Sequence, residues 1–400
     1  MAGLTVSASD YDFSQAHAAM RRYVDGDLLA GVSSAVLLGQ DLVDVDCAGM
    51  ADREAGEAMR ADHIFRAFSN TKLITSIAVL LLWEEGRFQL DDAAERYLPE
   101  LANRRVLRPG AERADDTEPA ESAMTIRQLM SHSSGLSYGV LDPGTLAYTL
   151  YQESGLHDPR GDLARMMEIL ADLPLTYHPG TSWEYSIATD VLARLVEVQS
   201  GERFDAFIAR RIFGPLGMID TGFVVPDDDR HRLAAFYEGA DLIDPMKPGL
   251  KRHQDFPYPG AYKIPVARLS GGGGLVTTLA DMVALMRALL PGGPTLLKPE
   301  TVAMMMQNQL PAGQTIQFPR LGAVPGKGYG LAGAVTLEPS SIDPAQSDGE
   351  FQWGGIAGTH WWISPRHNLA GLLMTQRHMA FWHPFSFEFK RLVYRAVLDD

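Results

Sequence analysis

The chain has 400 residues and is 46% hydrophobic, a composition typical of a well-packed globular protein with one large or two ordinary domains. The formal net charge of −15 argues against nucleic acid as a partner and gives no sign of binding to an anionic membrane. The single cysteine, Cys47, excludes an intramolecular disulfide and a cysteine-based zinc site. The first residues lack the basic start and apolar run of a secretory signal, so we expect a cytoplasmic protein without a membrane partner.

The N-terminal part of the chain predicts a helix, a hairpin and a second, more apolar helix. Helical spacing covers residues 11–30. Residues 31–52 are typical of two short strands that turn near Gly39 and Gln40. An apolar helix then starts near Ser69 and ends at Gly86.

The middle of the chain predicts mostly helices joined by polar loops. We expect helices in residues 88–101, 125–135, 189–201 and 205–218. The first would be capped by Asp91 or Asp92, the second would end at Gly135, and the last would break at Gly214 and Pro215. Residues 102–123 are expected to form an exposed loop.

The last part of the chain returns to strands. A glycine-rich run at Ser270 predicts a bend beside a cleft, a strand and a helix follow, and the last 75 residues contain several strand patterns and a closing helix. We therefore predict an α/β (α+β) fold in which residues 1–85 and 270–400 share one antiparallel sheet flanked by helices. Residues 86–269 would form a mostly helical insert, with the ligand site in the cleft between the two parts.

Ser69 and Lys72 form the single Ser-x-x-Lys pair of the sequence. Residues three apart lie on one face of a helix, so the two side chains are expected to be neighbours. A serine hydroxyl becomes a good nucleophile when a nearby base removes its proton, and a desolvated lysine can be that base. The pair alone is also compatible with an ordinary helix start that carries a solvated lysine.

Two later segments supply possible partners for this pair. Tyr185 lies in a turn just before an amphipathic helix, a place where tyrosine is ordinarily a packing residue. Gly354 and Gly355 lie in a strand pattern, where glycines commonly mark a close approach of ligand to the backbone.

Together the three segments resemble the serine beta-lactamase and penicillin-binding protein superfamily, whose members carry S-x-x-K, Y-x-N and K-T-G in this order. The similarity is greatest to the class C beta-lactamase-like esterases, the family VIII carboxylesterases. It extends over most of the chain through segments such as "MTIRQLMSHSSGL", "YHPGTSWEYSIATDVLARLVE" and "LSGGGGLVTTLADMVALM".

The resemblance implies roles for individual residues. Ser69 would be the acylated nucleophile, and Lys72 and Tyr185 would form the base network that activates it. The backbone N–H groups of Ser69 and Ile356 would form the oxyanion hole. Neither a cofactor nor a metal ion is implied.

Two departures from the lactamase pattern bear on the substrate. Ile187 replaces the amide of Y-x-N, and Trp353 replaces the cation of K-T-G. The remaining site is expected to be apolar, with substrate contacts from Trp353, Gly354, Gly355, Ile187 and His360, and from Trp361 or Trp362. We therefore predict a serine carboxylesterase for neutral short- to medium-chain esters that keeps weak beta-lactamase activity. A dry pocket also predicts acyl transfer to a hydrophobic alcohol or amine.

Other functions remain open at this point. They are a transesterase as the main activity, a beta-lactamase or D-aminopeptidase-type amide hydrolase, and a non-catalytic ligand-binding protein. The sequence has neither the G-x-S-x-G pentad of α/β-hydrolases nor an H-E-x-x-H metal motif. His132 is expected to hold a loop by hydrogen bonds and His360 to line the cleft, and we expect a monomer or a small homo-oligomer.

Overall fold

The computed structural model describes residues 4–141, 143–241, 243–254, 256–318 and 322–398. Its helices are α1 (Ser14–Asp25), α2 (Thr71–Glu84), α3 (Ile126–Met130), α4 (Leu146–Glu153), α5 (Leu163–Ala171), α6 (Ala188–Ser200), α7 (Phe204–Ile208), α8 (Gly214–Leu216), α9 (Leu279–Leu289), α10 (Pro299–Met305) and α11 (Pro384–Leu398). Its strands are β1 (Gly31–Leu38), β2 (Asp41–Asp52), β3 (Glu57–Ala58), β4 (Ile64–Arg66), β5 (Arg105–Leu107), β6 (Thr117–Pro119), β7 (Tyr237–Gly239), β8 (Leu250–Arg252), β9 (Val276–Thr278), β10 (Gln317–Phe318), β11 (Gly322–Ala323), β12 (Lys327–Tyr329), β13 (Ala334–Thr336), β14 (Phe351–Gly354), β15 (His360–Ser364) and β16 (Leu369–Met374).

The main sheet is antiparallel and has eight strands in the order β12-β13-β14-β15-β16-β1-β2-β3. The first hairpin, β1 and β2, lies between β3 at one edge and β16, so the beginning and the end of the chain share one sheet, as predicted. Side chains on a strand alternate between the two faces. Val36 thus packs toward α1 and α11, whereas its neighbour Ala35 packs in the large core that contains α2 and α9. The predicted fold class, an antiparallel sheet flanked by helices, is confirmed.

Helix α2 is the central helix of the large core. Twelve of its fourteen residues are buried, because its sequence is apolar on every side. It packs against α6 and begins directly after a 3-10 turn at Phe68–Asn70. The core that surrounds α2 contains residues from the sheet and from the segment 86–269, and the division into domains at residues 85 and 269 stays a prediction.

Three local predictions in the middle segment were wrong. Residues 88–101 form two 3-10 turns, Ala94–Arg96 and Pro99–Leu101, because Pro99 starts a new turn instead of continuing a helix. The expected exposed loop contains the short strand pair β5 and β6. Helix α3 ends at Met130, before Gly135, since the chain at His132 turns into the left-handed region.

The predicted break at Gly214 and Pro215 is also wrong. Helix α7 continues through a π-helical turn, Ala209–Phe213, into α8, and the helical path ends at Gly217 in the left-handed conformation. A π turn widens the helix locally, so Pro215 can follow it without the clash that proline makes in a regular α-helix. Within the described ranges, we find no helix long and apolar enough to cross a membrane.

Candidate active site

Ser69 lies in the 3-10 turn that leads into α2, with its side chain half-buried. The preceding residue, Phe68, has a φ of +44°, a backbone conformation that is uncommon for a residue with a side chain. Its ring packs against Phe236 at 5.7 Å and Phe256 at 5.8 Å between ring centroids. The strained turn is thus held by aromatic packing, and Ser69 is presented beside an apolar surface.

Lys72 is one turn further along α2 and is 1% exposed. Its Nζ donates to the carbonyl of Gly272 at 2.7 Å and lies 3.4 Å from Ser69 Oγ. The same ammonium group sits over the rings of Tyr185 and Tyr138, at 4.5 Å and 5.2 Å from their centroids. The side chains of Ser69 and Lys72 are therefore neighbours in the structure, as we expected from their spacing.

The pKa of Lys72 results from opposing influences. Burial is the largest and lowers the pKa, because the charged form loses its hydration. Tyr138, Tyr185 and the carboxylate of Asp190 act in the other direction, and the net result is a pKa raised above the ordinary lysine value. The side chain is thus placed to carry a proton in the resting site.

Tyr185 lies two residues before the N-cap of α6 and is 8% exposed. Its hydroxyl donates to Ser69 Oγ at 2.6 Å, which is the shortest side-chain contact of Ser69 among the described residues. The indole N–H of Trp353 points at the same hydroxyl from 3.4 Å. The structure thus brings together the three residues predicted from distant segments.

His132 supports this tyrosine from behind. Its Nδ1 accepts from the backbone N–H of Ser186 at 3.2 Å, and its ring lies 4.9 Å from that of Tyr185. Burial lowers the pKa of His132 well below its ordinary value, so the ring is neutral. Its carbonyl also accepts from the N–H of Glu184 at 3.0 Å, and its hydrogen bonds hold the loop as predicted.

Ile356 follows the end of β14, in a turn that begins at Gly355. Gly355 lies so close to the nucleophile turn that a Cβ atom there would be 2.6 Å from the carbonyl oxygen of Ala67. In the part of the chain that the structure describes, the N–H of Ile356 has no hydrogen-bond partner. A free N–H beside the Ser69 turn is what an oxyanion hole requires, and the role of Ile356 stays a prediction.

The other predicted contact residues have different surroundings. Ile187 is fully buried in the large core, and Trp353 is 5% exposed beside Tyr185. A Cβ at Gly354 would be 2.5 Å from Nδ1 of His360, so both glycines permit close packing within the protein. His360 lines a separate cavity behind Trp353, together with Trp361 and Trp362. Substrate contacts by these residues stay predictions.

Sequence reasoning missed a cluster around the lysine. Asp190 is fully buried on α6, where its Oδ1 accepts from Arg268 at 3.2 Å and its Oδ2 has no hydrogen-bond partner among the described residues. A Cβ at Gly272 would meet this Oδ2 at 2.4 Å, the hydroxyl of Tyr138 at 3.2 Å and Nζ of Lys72 at 3.3 Å. The signal was an aspartate within an otherwise apolar helix face, five residues after Tyr185.

Among the described residues, no group of three histidine, cysteine, aspartate or glutamate side chains is arranged to hold a metal ion. The chemistry that the site can perform rests on a hydroxyl, a phenol, an ammonium group and backbone N–H donors. These are the parts needed for nucleophilic attack on a carbonyl carbon.

The chain matches a protein family model and several known proteins over most of its length. The model of the family named Beta-lactamase matches residues 17–380. Esterase EstB of Burkholderia gladioli is 33% identical over 339 residues, which are 82% of this chain and 81% of that protein. Lovastatin esterase of Penicillium rubens is 32% identical over 335 residues, which are 79% of this chain and 80% of that protein.

Solved structures share the fold. EstCE1, described as a hydrolase with promiscuous acyltransferase activity, is 25% identical to this chain and has a TM-score of 0.79. The superposition covers 95% of this chain and 98% of the EstCE1 chain. Unliganded simvastatin synthase (LovD) of Aspergillus terreus shares the fold with a TM-score of 0.82 at 22% identity, over 98% of this chain and 100% of that chain. The chain belongs to the beta-lactamase family and is a serine hydrolase.

Proposed function

We propose that the chain is a carboxylesterase that hydrolyses neutral short- to medium-chain esters through an acyl-enzyme on Ser69. The observation that carries the proposal is the 2.6 Å contact between Ser69 Oγ and the hydroxyl of Tyr185, beside the buried Lys72. The names of two relatives, esterase EstB and lovastatin esterase, support an ester as the substrate class.

Acylation uses the phenol and the ammonium group as one unit. Ser69 Oγ attacks the ester carbonyl carbon while its proton passes to the deprotonated oxygen of Tyr185, whose negative charge the ammonium group of Lys72 stabilises. The negative carbonyl oxygen is stabilised by the N–H groups of Ser69 and Ile356. The tetrahedral intermediate collapses when the alcohol leaves with the proton held by Tyr185.

Deacylation runs through the same groups. Water gives a proton to Tyr185 and attacks the acyl carbonyl, and the intermediate releases the carboxylic acid and returns a proton to Ser69 Oγ. Because Tyr185 contacts Ser69 directly, one base can serve both halves of the reaction.

The surroundings favour a neutral substrate. Trp353 stands where lactamase relatives carry a cation, and its N–H points at Tyr185. Phe68 joins the rings of Phe236, Phe256 and Tyr262 in an aromatic cluster next to the nucleophile. This surface suits an alkyl or aryl group, whereas an anionic antibiotic would find Trp353 in place of the cation of K-T-G.

Acyl transfer is a second candidate activity. An aromatic surface next to Ser69 can hold a hydrophobic alcohol in the place of water during deacylation. Two relatives support this activity by name: EstCE1 is described as having promiscuous acyltransferase activity, and acyltransferase calJ of Penicillium decumbens is 28% identical over 80% of this chain.

The decisive experiment locates the acyl-enzyme. After inhibition by an alkyl phosphonate, we expect mass spectrometry to find one adduct, on Ser69, together with loss of p-nitrophenyl butyrate hydrolysis. Ser69→Ala should take no adduct and should lose about 10³-fold or more in kcat. Ser200→Ala, at the far end of α6, is the matched control. It should still form the adduct on Ser69 and still hydrolyse p-nitrophenyl butyrate. Full activity of Ser69→Ala would contradict the proposal.

A second experiment separates the substrate classes. The value of kcat/KM for p-nitrophenyl butyrate should exceed that for nitrocefin by at least about 10²-fold, since Trp353 cannot pair with the substrate carboxylate as the cation of K-T-G would. Adding benzyl alcohol should yield benzyl butyrate if acyl transfer occurs. A preference for nitrocefin would favour a beta-lactamase instead.

A further inference from the structure

His157 lies between two residues of the cluster around Lys72. Its Nδ1 is 3.0 Å from Nη1 of Arg268, and its Nε2 is 2.8 Å from the carbonyl oxygen of Tyr138. A guanidinium group only donates hydrogen bonds and a carbonyl oxygen only accepts them, so Nδ1 is the acceptor and Nε2 carries the hydrogen. Burial and the nearby Arg268 lower the pKa of His157, which agrees with a neutral imidazole. Both nitrogen atoms of this ring are therefore in use.

The loop of His157 and the segment of Arg268 are joined through their backbones. The carbonyl oxygen of Pro159 accepts from the N–H groups of Ala267 and Arg268, at 3.1 Å and 3.2 Å. The side chain of Arg268 is 8% exposed, and the ring of His157 lies 5.9 Å from that of Tyr138. The guanidinium group thus has little freedom to move away from His157.

Arg268 makes one hydrogen bond to Asp190 where two are possible. Its Nη2 donates to Oδ1 of Asp190 at 3.2 Å. Within the described residues, Nε of Arg268 and Oδ2 of Asp190 are buried and have no hydrogen-bond partner. Arginine and a carboxylate often form two parallel hydrogen bonds, and two unpartnered buried groups would gain from them. The hydrogen bond from Nη1 to His157 is the contact that opposes this rearrangement.

The second oxygen of Asp190 faces Lys72. A Cβ atom at Gly272 would lie 2.4 Å from this Oδ2, 3.3 Å from Nζ of Lys72 and 3.2 Å from the hydroxyl of Tyr138. Burial lowers the pKa of Lys72, but two tyrosines and the Asp190 carboxylate oppose burial and raise that pKa above the ordinary value. If Oδ2 turned to Arg268, its charge would be shared with a second cation and would support Lys72 less.

We propose that His157 is a positioning residue for the Lys72 ammonium group. It holds Arg268 on one oxygen of Asp190, so the other oxygen remains available to Lys72. Its second hydrogen bond fixes the backbone of Tyr138, whose ring lies 5.2 Å from Nζ of Lys72. This role rests on the proposed ester hydrolysis, in which Lys72 must stay charged.

Variants of His157 separate its two hydrogen bonds. Oδ1 of asparagine lies as many bonds from Cα as Nδ1 of histidine, so His157→Asn keeps an acceptor for Arg268. Nε2 of glutamine likewise matches Nε2 of histidine, so His157→Gln keeps the donor to Tyr138. His157→Phe keeps a ring of similar size and loses both hydrogen bonds.

The alkaline limb of the kcat/KM profile for p-nitrophenyl butyrate is the first readout. In His157→Phe and His157→Gln this limb should lie about one pH unit lower than in the wild type, whereas His157→Asn should return it to within about 0.3 pH unit. His231→Gln, at an exposed position, is the control and should leave the limb unmoved. A merely structural role would lower kcat or the melting temperature without moving the limb, and that result would overturn the proposal.

NMR titration of Lys72 gives a second readout that needs no substrate. Its Cε signal, identified by its loss in Lys72→Arg, should titrate about one pH unit lower in His157→Phe and His157→Gln than in His157→Asn. Tyr185 and the neutral His132, which also face Lys72, are unchanged in these variants.

The two readouts distinguish failure of this proposal from failure of the proposed function. A wild-type protein that does not hydrolyse the ester contradicts the proposed function, whereas the NMR titration still tests His157. Equal titration of Lys72 in His157→Asn and His157→Gln would refute the positioning role. Thermal melting shows which variants fold, and the comparison of His157→Asn with His157→Gln decides the matter if His157→Phe does not.

Discussion

At the scale of single residues, the state of Lys72 decides how the site works. An isolated lysine buried to this extent would tend to lose its proton. Here Tyr138, Tyr185 and Asp190 oppose the effect of burial and raise its pKa. We therefore interpret Lys72 as the cation that stabilises negative charge on the Tyr185 oxygen, while this oxygen is the atom that exchanges a proton with Ser69.

Asp190→Asn tests this interpretation. Loss of the carboxylate should lower the pKa of Lys72, so the alkaline limb of the kcat/KM profile should move to lower pH. Activity at high pH relative to neutral pH should fall by roughly tenfold. Arg268→Met removes the cation that pairs with Asp190, so it should move the alkaline limb to higher pH. A shift confined to the acid limb would instead identify neutral Lys72 as the base.

The groups that face Lys72 in this test come from several elements. They are Ser69 on the nucleophile turn, Tyr138, Tyr185, Asp190 on α6, His132 behind Tyr185, and Arg268 beside Asp190. His132 is neutral, and the two variants change the ion pair of Asp190 and Arg268.

The two tyrosines that flank the lysine form a matched pair. Both rings lie near Nζ of Lys72, but the hydrogen bond to Ser69 is made by Tyr185. Tyr185→Phe should therefore lower kcat for p-nitrophenyl butyrate by about 10³-fold, whereas Tyr138→Phe should cost less than about tenfold. Comparable losses in both variants would mean that the phenols act only through the charge of Lys72.

At the scale of elements, the glycine run before β9 brings backbone into contact with two helices. The carbonyl of Gly271 accepts from Thr75 on α2 at 2.8 Å, and the carbonyl of Gly272 accepts from Lys72 at 2.7 Å. A Cβ at Gly271 would lie 2.6 Å from the Cβ of Ala193 on α6. The run is thus a close-packed bend beside the lysine, where side chains have no room.

Gly272→Ala and Gly273→Ala test the bend within one segment. The first adds a Cβ that would lie 2.4 Å from Asp190 Oδ2, so it should lower kcat by about 10²-fold and stability by about 1–3 kcal/mol. At Gly273 the nearest atom, the carbonyl carbon of Phe68, is 3.7 Å away, so the fold should be retained. Thermal melting and esterase assays measure both effects, and an active Gly272→Ala enzyme would contradict the role of the bend.

At the scale of the whole molecule, buried neutral histidines make stability depend on pH. Burial lowers the pKa of His383 from 6.5 to about 4, where its Nε2 contacts the carbonyl of Pro245 at 2.9 Å. A histidine with a lowered pKa in the folded state binds protons more readily when unfolded. Its contribution is fully present above pH 6.5 and is lost as the pH falls toward about 4.

His383→Gln should therefore flatten the acid side of the stability profile. Between about pH 7 and pH 5 the wild-type protein should lose about 2 kcal/mol of unfolding free energy through this one group, and the variant should not. Urea unfolding at the two pH values measures the difference. His231→Gln, at an exposed position, is the control and should leave the slope unchanged. An unchanged slope in His383→Gln would show that other groups dominate acid unfolding.

Much of this molecule follows from local sequence patterns. The alternation in residues 31–52 predicts the β1–β2 hairpin, and the apolar run after Ser69 predicts the buried α2. The ordered motifs at Ser69, Tyr185 and Trp353 predict the family, the fold class and the three side chains that meet at the site. These features depend on neighbouring residues or on motif order, which the sequence displays directly.

Tertiary structure alone decided which distant groups surround Lys72. Asp190, Tyr138 and Gly272 meet there because α6, the segment at Tyr138 and the glycine bend all pack around one side chain, and no sequence spacing encodes that contact. The same holds for His360, which the sequence assigned to the cleft and the fold places in a cavity behind Trp353. Burial and proximity arise only when the sheet and helices pack, and they set the charge of Lys72.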